Sequence, residues 1–170
     1  MKLLFILSLF MAAMSVTACE KNDHPVLPEQ EGQVTGQEGN NNKNEETDTE
    51  KNTIKLTVNG RSFTASLTEN SSTDALKKHL AKGNLNIQMN DYGNMEKVGS
   101  LGFSLPRNDR QITTGPGDLI LYQGNSFVIY YDTNSWNFTR LGKVDGISTR
   151  KQMLELLGGA GEVTVTLSLE

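Results

Sequence analysis

The chain has 170 residues with 16 basic and 20 acidic side chains, a net charge of −4, one cysteine and 36% apolar residues. Residues 1–19 carry a single charge, Lys2, and residues 20–52 hold nine acidic and three basic groups, which leaves residues 53–170 at plus 1. Those 118 residues match one domain of about 100–150 residues and exclude a second, and the lone cysteine excludes a disulfide scaffold or a cysteine metal site.

Lys2 precedes an apolar run over residues 3–14, shorter than the roughly 20 residues a permanent bilayer-spanning helix needs, so residues 1–18 read as a signal peptide. The run ends in Val16-Thr17-Ala18-Cys19, which resembles the bacterial lipobox. Small residues there fit a signal peptidase groove, and the Cys19 thiol is the nucleophile for diacylglycerol transfer. Cys19 is then the lipid-bearing first residue, and its acyl chains, palmitate among them, anchor the protein at roughly 0.8 kcal/mol per buried methylene. Glu20-Lys21-Asn22-Asp23 resembles the Lys-and-acid signals that send some Bacteroidetes lipoproteins to the cell surface. The expected location is the cell envelope, lipid-anchored in the outer membrane, at its periplasmic face or on the cell surface.

Residues 19–52 read as a lipidated, disordered acidic tether, because Val26, Leu27 and Val34 are its only larger apolar residues and cannot offset the entropy of ordering it. As a flexible chain it spans on the order of 30 Å, enough to hold a domain at 53–170 clear of the headgroups.

In that domain, Ile54-Lys55-Leu56-Thr57-Val58 alternates, Asn59-Gly60 suits a type I′ turn, and Arg61 to Leu67 alternates back. A two-residue loop pairs Val58 with Arg61, Leu56 with Phe63 and Ile54 with Ala65. Ser72 suits the N-cap of a helix over 73–82, with Asp74 in its first turn and Gly83 as the stop. His79 falls on that helix as an ordinary helix residue. Leu85, Ile87 and Met89 alternate in a third strand and Leu101, Phe103 and Leu105 in a fourth, with Tyr92-Gly93-Asn94 and Gly99 breaking the pattern between them. Gly115-Pro116-Gly117 turns into the run 118–122, and Gln123-Gly124-Asn125-Ser126 returns the chain into 127–131; both runs are apolar on both faces and are expected to be central. Thr149 and Gln152 have capping-box spacing at the start of a second helix carrying Met153, Leu154 and Leu157. Val163, Val165, Leu167 and Leu169 form a half-buried last strand. About seven strands and two well-separated helices predict a mainly β fold, an antiparallel barrel or sandwich with two covering helices.

Thr114-Gly115-Pro116-Gly117-Asp118-Leu119, then Gly124-Asn125-Ser126-Phe127-Val128-Ile129, then Trp136, then Leu141-Gly142-Lys143-Val144-Asp145-Gly146, a helix and a last strand stand in the order found in cyclophilins. The stretch from Gly117 to Val144 is similar to that of bacterial cyclophilin-like proteins, and the resemblance covers residues 54–170. It implies a closed or nearly closed antiparallel cyclophilin-like β-barrel with two covering helices. Cyclophilins isomerise prolyl bonds, over a barrier of about 18–20 kcal/mol, with an arginine from a Phe-His-Arg motif. Here the corresponding region, Leu85 to Tyr92, contains no arginine, Val128 stands at a phenylalanine position and Leu121 at a methionine position. Trp136 matches the tryptophan, but the histidine expected between it and Gly142-Lys143 is missing. The resemblance therefore implies no catalytic residue here.

Other chemistries have less to build on. No Gly-x-Ser-x-Gly elbow occurs, a triad would have to rest on His79, and Gly158-Gly159-Ala160-Gly161 follows a helix instead of preceding one, the wrong order for a phosphate loop. The cluster Arg107-Asn108-Asp109-Arg110 suits an anion site or, more simply, a solvated loop. The near-neutral domain gives no footprint for nucleic acid, and neither a metal nor a cofactor is implied. The favoured expectation is a non-catalytic accessory module whose groove, lined by Trp136, Tyr122, Gln123, Val128 and Arg107, holds a peptide or small molecule. The alternatives are a weak peptidyl-prolyl isomerase and a structural envelope protein without a ligand.

Overall fold

The computed structural model describes residues 52–170, so the expected signal peptide, Cys19 and the tether up to residue 51 lie outside the described residues. Asn59 and Gly60 take φ angles of 49° and 75°, the left-handed pair that a two-residue turn requires, and join Thr53–Val58 (β1) to Arg61–Leu67 (β2). The register is the expected one, with Val58 opposite Arg61, Leu56 opposite Phe63 and Ile54 opposite Ala65.

The first helix, Ser71–Leu80 (α1), starts earlier than the serine suggests. Asn70 is its N-cap: the Asn70 side chain accepts from the backbone N–H of Ser72 and Thr73, and the Thr73 hydroxyl accepts in return from the Asn70 N–H. Ser72 is instead buried inside the helix, donating its hydroxyl to the Pro106 carbonyl at 2.6 Å. Leu85–Tyr92 (β3) is the third strand as expected, but the fourth is Glu96–Ser100 (β4), not the alternating Leu101, Phe103 and Leu105. That apolar trio lies outside the ladders, tied by Leu101 and Leu105 N–H bonds to the Asn125 and Gly124 carbonyls. Two further strands have no clear alternation in the sequence, Arg110–Thr113 (β5) and the ten-residue Ser135–Val144 (β8). Asp118–Tyr122 (β6) and Ser126–Tyr130 (β7) form the expected hairpin. Arg150–Leu157 (α2) has the expected Thr149–Gln152 capping box, ends on left-handed Gly158, and leads into Val163–Leu169 (β9).

The strands run in the order β2-β1-β9-β3-β4-β7-β6-β8, every pairing antiparallel, and β8 pairs with β2 to close an eight-stranded barrel. β5 hangs on the outer part of β8. The interior is filled by inward residues such as Leu56, Met89, Leu119, Phe127, Ile129 and Val165, and both helices add to it, α1 through Leu76 and Leu80, α2 through Met153, Leu156 and Leu157. Alternation along β6 and β7 sends Ile120, Val128 and Tyr130 the other way, where they join Phe138 of β8 in a second apolar cluster on the outer wall. This is why both runs are apolar on both faces: one face serves the core and the other a surface cleft.

Candidate functional site

The cleft is built from cross-strand rows on the outer wall. Tyr92 of β3, Glu96 of β4 and Tyr130 of β7 are direct partners across neighbouring strands, so their side chains leave the sheet side by side. The adjacent row is Val98, Val128 and Ile120, and the next brings Tyr122 beside Ser126. Phe138 forms a wall, tilted against the Tyr130 ring at 5.7 Å and meeting the Tyr122 ring edge-on at 6.2 Å. Trp136, two residues before Phe138 on β8, completes the rim. The resulting cleft has a volume of about 400 Å³ and is also lined by Asn134.

Three of the five residues singled out in the sequence therefore come together: Trp136, Tyr122 and Val128. Trp136 is 60% exposed and is not core packing, whereas Val128 is a buried part of the floor. Gln123 and Arg107 lie outside the lining. Gln123 occupies the left-handed position of the β6–β7 turn, with its amide donating to the Tyr122 hydroxyl at 3.3 Å. Arg107 is bound to the Asp109 carboxylate. Burial works to raise the Asp109 carboxyl, but the hydrogen bonds from Arg107 and Thr139 outweigh it and hold it below the usual range.

Sequence reasoning missed Glu96, Tyr92, Tyr130 and Asn134. Glu96 is only 8% exposed, and its Oε2 has no hydrogen-bond partner. Burial raises its carboxyl above the usual Glu range, opposed in part by a hydrogen bond with the Tyr130 hydroxyl. The same burial, reinforced by Glu96, pushes the Tyr130 phenol well above its ordinary value. Asn134 donates to the Tyr130 hydroxyl at 3.2 Å and is itself pinned by paired bonds with buried Thr114. Among the described residues lining the cleft, Glu96 is the one acidic side chain, and no arginine or lysine is present. Nor, among the described residues, does any group of three or more His, Cys, Asp or Glu stand where it could hold a metal ion.

The family model described as the Cyclophilin-like family matches residues 56–168, from within β1 to within β9. The chain belongs to the cyclophilin-like family. No curated protein matches it. Within this cyclophilin-like barrel, the stretch where the resemblance puts the isomerase arginine is β3, and what β3 presents to the cleft is Tyr92. His79 of α1 faces elsewhere, stacked flat on Phe103 with ring centroids 3.7 Å apart.

Proposed function

We propose that this cyclophilin-like protein is a cell-envelope lipoprotein, anchored through Cys19 in the outer membrane, whose barrel is a non-catalytic module that binds a peptide or small molecule in the outer-wall cleft. The observation that carries the reading is the pairing of exposed aromatics, Trp136 and Tyr92, with a buried apolar floor. Large aromatic surface left in water at the mouth of a concave, mostly apolar cleft is the usual signature of a ligand site. The cleft offers a carboxyl, three phenols, an indole and an amide, but no cationic donor to stabilise a twisted prolyl bond, which favours binding over isomerisation.

Trp136 is the only tryptophan, so its emission reports on this cleft alone. Titrating the full chain with short peptides and small metabolites is expected to shift that emission saturably for at least one class. Trp136→Ala is expected to weaken binding, followed by calorimetry, by about ten-fold or more while changing stability by no more than about 0.5 kcal/mol, since the side chain stands in solvent. A flat response to every ligand, together with exchange of an Xaa-Pro peptide faster than in buffer, would replace the binding reading with isomerase activity. For the anchor, Cys19→Ala is expected to move the protein from the membrane to the soluble fraction; unchanged fractionation removes the lipoprotein reading.

A further inference from the structure

The cleft also carries information about the charge of its ligand. Glu96 sits between Tyr92 and Tyr130 in one cross-strand row, with strands about 4.8 Å apart, and it is more than nine-tenths buried while its Oε2 has no partner. A buried, half-satisfied carboxyl is costly to keep. The cleft it lines is otherwise walled largely by aromatic rings, those of Tyr92, Tyr122, Tyr130, Trp136 and Phe138. Aromatic faces attract cations and repel anions. Most charges near this wall are engaged elsewhere, Arg107 with Asp109, Arg140 and Lys143 with Asp118, and Lys97 with Asp91 on the inner face of β4, while Arg110, opposite Phe138 on β5, lies outside the lining of the cleft.

From this geometry we infer that the cleft recognises an alkylammonium group, with the cation seated against the Glu96 carboxyl and its hydrocarbon shell held by Tyr92 and Trp136. The inference rests on the proposed binding function and names the chemistry of its ligand. A guanidinium is the poorer fit: its fork needs both carboxylate oxygens within reach in one plane, and Oε2 is enclosed within the wall, with Tyr130 beside Glu96 in the row. An ammonium is a point charge that needs one oxygen and an apolar surround. The volume of about 400 Å³ accommodates either a free small amine or one lysine side chain.

The test is titration of the full chain, read by Trp136 emission and by calorimetry, with choline, with the uncharged tert-butyl analogue of choline, and with lysine blocked at both its α-amine and its carboxyl. Choline or blocked lysine is expected to bind about ten-fold or more tightly than the uncharged analogue, and whichever of the two binds more tightly identifies the source, free amine or side chain. Glu96→Gln keeps the shape and is expected to erase that preference, bringing cation and uncharged analogue to within about two-fold of each other, while its melting temperature stays equal to or above that of the wild type because a buried acid is replaced by a neutral amide. Tyr92 is 68% exposed, so Tyr92→Leu leaves the fold alone; it is expected to cost choline several-fold in affinity and the uncharged analogue much less. Binding of neither choline nor blocked lysine more tightly than the uncharged analogue by the wild type, or a preference that survives Glu96→Gln, overturns the inference and leaves the proposed binding function standing. Silence toward these probes and toward the peptide and metabolite sets overturns both.

Discussion

Gly142→Ala is expected to lower stability by more than about 3 kcal/mol, a large part of the 5–15 kcal/mol typical of a domain, and to leave much of the protein unfolded in mild urea. Gly142 lies opposite Leu67 in the short β2–β8 pairing that closes the barrel. A Cβ built there would stand 2.2 Å from the Ser66 carbonyl oxygen and 3.0 Å from the Leu67 Cα. Both neighbours are backbone, so no side chain can swing away; the seam itself must part. The seam has three register pairs, Ala65–Val144, Ser66–Lys143 and Leu67–Gly142, plus the Thr68 N–H bond to the Leu141 carbonyl at 2.9 Å. Parting it exposes Leu67, Leu141 and the core behind them. Gly115→Ala is the control, since nothing lies within 4 Å of its Cβ position, and it should stay within about 0.5 kcal/mol of wild type. Urea unfolding followed by circular dichroism measures both; a Gly142→Ala loss below about 1 kcal/mol would show that the barrel tolerates an opened seam.

The same residue shows which parts of the fold are legible in the sequence and which are not. Leu141-Gly142-Lys143 carries part of the family resemblance, yet nothing in its spacing announces a strand. β8 begins SWNFT with Phe138 facing the outer cluster, and the pairing of β6 with β8 slips at a bulge between Leu119 and Ile120, so no single alternation runs its length. The first hairpin is legible because the Asn59-Gly60 turn has only two residues and fixes every pair that follows. The fourth strand is misplaced by its sequence pattern for a physical reason. Leu101, Phe103 and Leu105 alternate like a strand, while the true β4 puts Glu96 and Lys97 into buried positions that composition assigns to solvent.

The site divides along the same line. Trp136, Tyr122 and Val128 lie on stretches that match the family in order, so the order of the chain alone is enough to gather them. Tyr92 and Glu96 meet only through the β3–β4 register, and a fourth strand expected at Leu101 leaves the pair in an assumed break around Tyr92-Gly93-Asn94. Met95 bonds back to the Tyr92 carbonyl at 3.2 Å, and Asn94 takes a left-handed φ of 53°, making that break a tight hairpin turn. Gln123 and Arg107 are drawn in by proximity along the chain: one is a turn residue beside Tyr122, the other an ion-paired loop residue. Neighbours in sequence are poor guides to a cleft that is assembled across strands.

The strand that carries Glu96 outward carries Lys97 inward, and that lysine sets the second large effect. Lys97 is fully buried; its Nζ lies 3.3 Å from the Asp91 carboxylate and donates to the Gly161 carbonyl at 2.6 Å. Asp91 also accepts from the Tyr131 hydroxyl at 2.6 Å, and the Tyr131 ring lies under the Arg150 guanidinium, itself paired with Asp132. Asp91→Ala leaves a buried ammonium with one neutral acceptor and is expected to cost about 3–5 kcal/mol. Lys97→Met removes the cation and keeps the volume; Asp91, with 23% of its side chain in solvent, retains the Tyr131 bond, so the loss should stay below about 1.5 kcal/mol. The double variant Asp91→Ala/Lys97→Met is then expected to recover most of the Asp91→Ala loss, because the damage comes from the stranded charge and not from the missing bond. Chemical denaturation of the three variants measures the cycle. Additive losses would mean that Lys97 gains nothing from Asp91, and that the Gly161 carbonyl alone suffices to hold a buried cation between the barrel wall and the loop after α2.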